Sequence, residues 1–341
     1  MTPFEKSRRV FTRSLACAAM TQTALRSAAP TIRVAAVQMT AELANVERNL
    51  AKAEQLVQVA LAKGAKWVVL PECFTSAVAF HPDMPGAVRH IDGAPARLLM
   101  DLARKGNAVV GGSFLAWSEG NVYNSFVLAL PDGRTLRHDK DYPTYWETCY
   151  YKGGTDDGIL PTPDGDIGVA LCWEFIRTRT VARLKGKVGL VVGGSCWWTA
   201  PDSAPADHPS RVKNLEIVKA TPRRFARLLG VPVVHAAHAG NFVGQSWPVE
   251  GKPYPSHFLG ETQVVDGNGV ILARMAREEG EGVITADIRM GPGSEAPEAM
   301  PTGDWIADFP EDVYRRWKEY LRTGHEHYVA KTIPAVRQLM E

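Results

Sequence analysis

Three residues in this chain have the side-chain types that make a thiol reactive: Glu72, Lys140 and Cys172. Cys172 closes the run Ile167-Gly168-Val169-Ala170-Leu171, a short apolar stretch that reads as a buried strand. In α/β sheets ligands bind outside the carboxyl ends of the strands, so a thiol there faces a cleft while its backbone is held. Glu72 follows Trp67-Val68-Val69-Leu70-Pro71, a second apolar run. A carboxylate at the end of such a run is costly unless it meets water or a partner, and Pro71 stiffens the backbone beside it. Lys140 ends the returning strand of a hairpin, between Asp139 and Asp141, whose charges favour its ammonium form. A cysteine attacks as thiolate, so it needs a base close by. A glutamate can be that base, and a lysine can stabilise the negative charge that attack creates. Taken singly, each residue also fits a plainer role: a small core side chain, a solvated loop carboxylate, a surface lysine.

The elements that must position these residues alternate along the chain. Ile32 to Met39 reads as a first buried strand, and a helix with Asn45 as N-cap follows, with Val46, Leu50, Ala53, Val57 and Leu61 at helical spacing and Gly64 as its stop. Trp67 to Leu70 is the next strand, so the order strand–helix–strand implies a crossover unit. A helix is expected over 94–105, a strand over 107–112, and a hairpin over 122–139 about the turn Pro131-Asp132-Gly133. The stretch Tyr142 to Tyr151 holds five aromatic side chains around Glu147 and reads as a pocket wall. Beyond Cys172, a short helical stretch to Lys187 and a strand over 188–192 lead to Trp197-Trp198, which suit a cleft lining or a core or interface anchor equally. A helix over 212–229, strands over 231–237 and 282–288, and a hairpin over 258–274 complete the pattern. From Gly291 the chain is rich in proline and glycine, followed by a helix over 311–321 and a polar tail suited to a subunit contact.

Composition narrows the function. The chain has 341 residues, 45% hydrophobic and 22% charged, with a formal net charge of +2. That is ordinary globular composition. It argues against a nucleic-acid or polyanion partner. Five cysteines, scattered and without a C-x-x-C pair, suggest neither a disulfide framework nor a zinc site. Cys73 adjoins Glu72, but adjacent residues of an extended chain point apart. At the amino end, Arg8-Arg9 precedes a weakly apolar stretch and small residues, similar to a twin-arginine export signal or to a basic extension. A periplasmic and a cytoplasmic location are both open, and the apolar part is too short for a permanent membrane span. Residues 1–30 are therefore set aside from the fold, 31–290 are expected to form the catalytic domain, and 291–341 a C-terminal extension.

These motifs together resemble the nitrilase superfamily of carbon–nitrogen hydrolases, over Arg33 to about Met290. The resemblance is carried by Ala36-Val37-Gln38-Met39, Leu70-Pro71-Glu72, Asp139-Lys140 with Glu147 seven residues on, Gly168 to Glu174, and Phe258-Leu259-Gly260-Glu261 leading into Asp266-Gly267. Each motif alone is weak, but their order and spacing are specific. The resemblance implies an α/β fold, the four-layer αββα sandwich, that pairs as a homodimer or a higher homo-oligomer. It places the family's catalytic glutamate, lysine and cysteine on Glu72, Lys140 and Cys172, and a second, supporting glutamate on Glu147. The implied reaction opens a small nitrile or amide through a thioimidate or thioester on Cys172, with Lys140 and the Trp173 N–H stabilising the developing charge, and requires no metal or organic cofactor. Tyr142, Trp197 and Arg177 are the candidate substrate contacts. Arg177 and Arg179 also suit a solvated position or pairing with nearby acids, which is the preferred reading. Cys172-Trp173-Glu174 resembles the nitrilase branch, whereas Phe175 to Thr180 departs from it, so nitrile, amide and N-carbamoyl substrates stay open. An acyltransferase would use the same triad. A metal enzyme built on His235 and His238 or on His325-Glu326-His327 lacks a third ligand at metal-site spacing. A non-catalytic scaffold leaves the triad unexplained.

Overall fold

The computed structural model describes residues 31–307 and 311–341; the twin-arginine stretch lies outside them. The first half of the domain contains β1 (Thr31–Met39), α1 (Val46–Ala62), β2 (Trp67–Val69), β3 (Arg89–His90), α2 (Ala94–Gly106), β4 (Val109–Ser118), β5 (Asn121–Ala129) and β6 (Thr135–Asp139). The second contains β7 (Ile159–Thr162), β8 (Gly165–Leu171), α3 (Thr178–Leu184), β9 (Leu190–Ser195), α4 (Pro209–Leu229), β10 (Val233–Ser246), β11 (Val249–Val265), β12 (Ile271–Ala276) and β13 (Gly282–Arg289). Two further helices close the chain, α5 (Glu311–His327) and α6 (Ile333–Met340).

The strands hydrogen-bond in the order β6-β5-β4-β2-β1-β10-β9-β8-β7, with β13 beside β1 and β11 and β12 continuing from β10. Their apolar runs are explained by what covers them. Successive side chains of a strand point to opposite faces, and here both faces are buried, so the strands lack a polar alternate. On β1, Ala35 and Val37 face α1 and α2 together with Val68, Val110 and Leu99. Val34 and Ala36 face the other way, into a layer filled by Trp67, Val69, Ile167, Val169, Leu171, Val192 and Val234. On the far side Ala170, Val191 and Val233 meet Val181 and Leu184 of α3 and Phe225 and Leu228 of α4. The result is the αββα sandwich.

The two strand layers join only at a narrow seam. β1 and β10 pair in parallel at Gln38 with Ala237 and Met39 with His238, whereas β1 pairs with β13 along eight residues. The layers diverge from that corner, at the carboxyl end of β1 and the first half of β10. The carboxyl ends of β2 and β8, which carry Glu72 and Cys172, open beside it.

Several elements run longer than their sequence cues. The strand expected over 107–112 continues to Ser118. Gly111 and Gly112 look like a stop, yet a Cβ on Gly112 would sit 2.9 Å from Leu70 and Phe74, so the glycine serves close packing. β10 and β11 extend as a long hairpin arm through Gly240 to Tyr254, where Gly, Asn and Pro mask the strand pattern. The C-terminal helix continues to His327, and the stretch expected as a polar tail folds as α6. α5 and the turn leading into α6 pack against the chain's own loop after β6: the Trp317 Nε1–H donates to Pro143 O at 2.9 Å, and the hydroxyl of Thr332, just before α6, to Cys149 O at 2.6 Å.

Candidate active site

The site is assembled from four strand ends. Glu72 sits two residues beyond Leu70 in a tight turn, and Cys73 after it has φ of +48°. Cys172 has φ of +49°. It follows Leu171 in extended conformation and opens the 3₁₀ turn Cys172–Ile176. Side chains other than glycine rarely adopt this left-handed region; each instance costs about 1–3 kcal/mol, and such instances cluster at functional sites. The turn is held by Glu174, whose Oε2 accepts the Leu171 N–H at 2.8 Å. The same carboxylate accepts the Asp141 N–H at 3.1 Å, so one buried side chain ties the segment bearing Cys172 to the segment bearing Lys140.

Glu72, Lys140 and Glu147 form a continuous buried network. The Lys140 ammonium donates to Glu72 Oε1 at 2.8 Å and to Glu147 Oε2 at 2.7 Å. Glu72 Oε1 also accepts from Asn124 Nδ2 at 2.9 Å, and its Oε2 accepts the Cys196 N–H at 2.9 Å. Glu147 Oε2 takes the Thr144 N–H at 2.8 Å and the Tyr151 hydroxyl. The Cys172 sulfur lies within 4.8 Å of a carboxylate oxygen of both Glu72 and Glu147. Lys140 supplies the positive charge between these two acids. Glu72, Lys140, Glu147 and Cys172 are all at most 1% exposed.

The electrostatics follow from burial and from this one cation. Burial pushes the Cys172 thiol well above its ordinary range, Glu72 adds to the push, and Lys140 opposes it; the resting sulfur keeps its proton. Burial also raises Glu72, against the pull of Lys140, which makes it a stronger base than an exposed carboxylate. Burial alone would lower Lys140, but Glu147 and Glu72 outweigh it and hold the ammonium well above its usual range.

The other sequence candidates separate. Trp173 and Trp197 line, with Cys172, a cleft of about 940 Å³. Tyr142 and Arg177 do not line it. Tyr142 borders, with Pro143, a second hollow. Arg177 is buried in an ion pair with Asp141, and its guanidinium lies 5.3 Å from the ring centres of both Tyr142 and Trp317. That is the pairing with a nearby acid. Asp139 and Asp141 do not hold Lys140: Asp139 pairs with Arg137 at 2.8 Å and Asp141 with Arg177, so the ammonium is left to the two glutamates. His238 is directed at backbone, with Nε2 2.8 Å from Glu72 O. Burial lowers both it and His235 to about 4.

Asn124, Tyr151 and the Cys196 N–H were missed. Asn124 is a buried polar residue inside the apolar β5, which is the one local sign of it. Its partner Glu72 is far away in sequence, and nothing local points there.

A thiol, a base and a cation gathered at the strand ends of an αββα sandwich define a class of cysteine-centred sites. A family model for carbon–nitrogen hydrolases matches residues 33–297, and the chain belongs to that family. It is 33% identical over 164 residues to a nitrilase of Pyrococcus abyssi, covering 46% of this chain and 62% of the relative. It is 32% identical over 170 residues to omega-amidase NIT2 of Danio rerio, covering 46% and 60%. The similarity thus spans about three fifths of the length of these curated relatives. Omega-amidase NIT2-B of Xenopus laevis is 28% identical over 266 residues, covering 74% and 87%. Among solved structures, a carbon–nitrogen hydrolase from Helicobacter pylori shares the fold with a TM-score of 0.64 at 17% identity, covering 92% of this chain and 99% of that one. Saccharomyces cerevisiae Nit3 does so with 0.57 at 21%, covering 76% and 90%.

Proposed function

We propose that this protein hydrolyses a non-peptide carbon–nitrogen bond in a nitrile or amide, with Cys172 as nucleophile, Glu72 as general base and acid, and Lys140 as the charge-stabilising donor. The observation that carries this reading is the cluster itself: the Cys172 sulfur within 4.8 Å of two buried carboxylates, on a cleft, beside one ammonium. Glu72 takes the thiol proton as sulfur bonds to the substrate carbon. With an amide, the tetrahedral oxyanion is met by Lys140 and the Trp173 N–H. Glu72 then gives the proton to the departing nitrogen, and ammonia leaves a thioester. With a nitrile, the first product is a thioimidate, which adds water and loses ammonia to reach the same thioester. Water, deprotonated by Glu72, attacks the thioester; the S–C bond breaks, the proton returns to sulfur, and a carboxylic acid is released. Glu147 holds Lys140 through Oε2, while its buried Oε1 lacks a hydrogen-bond partner and is available to a substrate N–H or the attacking water.

Ammonia release tests this on a panel of nitriles, amides and N-carbamoyl compounds. Turnover on at least one class, abolished in Cys172→Ala, is expected. Turnover that survives this substitution unchanged contradicts the mechanism.

A further inference from the structure

The lining of the cleft above Cys172 bears on which acyl group it takes, and the inference rests on the reading of Cys172 given above. We propose that the substrate carries a bulky aromatic acyl group, not a short aliphatic or a carboxylate-bearing one. Eight aromatic side chains line the cleft with Cys172: Tyr145, Trp146, Trp173, Trp197, Trp198, Trp247, Tyr254 and Tyr320. They come from five separate parts of the chain: the loop after β6, the Cys172 turn, the end of β9, the β10–β11 arm, and α5. On one wall Trp146 stacks on Trp198, with ring centres 4.1 Å apart at 20°. On the other Trp173 meets Tyr145 edge-on at 5.4 Å and leans on Trp197 at 6.2 Å. Ring faces and edges of this kind favour another ring in offset or edge-on contact.

Size and charge point the same way. The cleft's 940 Å³ is near the top of the range of about 300–1,000 Å³ for small-molecule sites, far more than a two- or three-carbon acyl chain fills. The charged side chains at its border are Lys213 and Arg316 against Asp207 and Glu216, so the signs cancel. The two arginines nearest the Cys172 turn in sequence and buried are committed elsewhere, Arg177 to Asp141 and Arg183 to Glu174 at 2.9 Å, and Lys213 and Arg316 of the lining have interactions of their own. A carboxylate among indole rings without a dedicated partner is costly.

The test uses the full chain and paired substrates: phenyl- and indolyl-acetonitrile and the matching acetamides, against acetonitrile, propionamide and the half-amide of glutaric acid. The aryl compounds are expected to have kcat/KM higher by about tenfold or more, the scale of one ring contact. Equal or higher values for the short or carboxylate-bearing compounds overturn the proposal. If no compound releases ammonia, the mechanism fails instead, and the cleft is then read by calorimetry on Cys172→Ala: tighter phenylacetate than glutarate supports an aromatic site, and the reverse overturns it. Trp198→Leu is expected to lower the ratio of aryl to short-chain kcat/KM by about tenfold, with Trp198→Phe recovering part of it. An unchanged ratio in a folded Trp198→Leu variant overturns the role given to the wall.

Discussion

At Lys140 one ammonium faces two carboxylates, Glu72 at 2.8 Å and Glu147 at 2.7 Å, and none of the three is more than 1% exposed. Removing one member of a buried charge cluster strands the others, at a cost of about 3–5 kcal/mol. Lys140→Met is therefore expected to lose about that much stability to urea at pH 7. Burial already raises Glu72 against the pull of Lys140; without that pull its folded pKa lies further above the unfolded one, so stability should recover as the pH falls and it takes up a proton. Stability equal to that of the parent chain at pH 7 would contradict this assignment. In the proposed mechanism Glu72 must be ionised to accept the thiol proton. Because burial raises it, the acid limb of kcat/KM should lie above the ordinary glutamate value of about 4.3. A pH–rate profile flat down to that value is incompatible with Glu72 as the base. Glu72 and Cys172 are visible in the sequence because each ends an apolar run, where a charged or reactive side chain stands out, whereas Lys140 follows the polar strand Thr135–Asp139 and is marked only by its place in the motif order. The sequence did not show which acids hold Lys140. Asp139 and Asp141 are adjacent in the chain and were the natural choice, yet their neighbours turn them to arginines, and the real partners arrive from 68 and 7 residues away.

Helix α5 shows how an element can matter more to the site than its sequence suggests. Its polar, charged residues mark a surface helix, but its Trp317 side packs toward Trp173, with ring centres 6.1 Å apart. Gly324 allows the close approach: a Cβ there would fall 1.6 Å from the Thr148 hydroxyl oxygen. That hydroxyl donates to Tyr320 O at 2.9 Å and so joins α5 to the loop carrying Glu147. Gly324→Ala is expected to cost about 1–3 kcal/mol by overpacking and to speed hydrogen exchange in α5. Unchanged protection would show that the contact relaxes without moving the helix. The same comparison explains what was legible at this scale. The crossover unit and the hairpin about Asp132-Gly133 follow from apolar runs and turn residues. The docking of α5 and the length of the β10–β11 arm depend on long-range contacts that leave no periodic trace.

For the whole molecule, His138 links stability to pH. It is fully buried between Asp156 and Glu174, with Nε2 3.1 Å from Glu174 Oε2. Burial opposes its charge, but Glu174 and Asp156 outweigh that and raise it to about 9. A histidine raised in the folded state adds stability that is full below its unfolded value of about 6.5 and fades as the pH rises through the folded one. Thermal unfolding should therefore show a fall in Tm between pH 6.5 and 9 that is smaller in His138→Gln; identical slopes would remove His138 from this role. Among the described residues no helix is long and apolar enough to cross a membrane. Assembly with further copies, expected from the family resemblance, is read by light scattering, where a mass of two or more chains supports it and a single chain contradicts it. The central claim, that bond cleavage passes through Cys172, is tested most directly by intact-mass and peptide mass spectrometry of the enzyme quenched during turnover of an amide. The expected result is a single adduct on the peptide holding Cys172, with the mass of the substrate less one ammonia. An adduct confined to another residue, or steady turnover with no adduct and no loss of rate in Cys172→Ala, would contradict it.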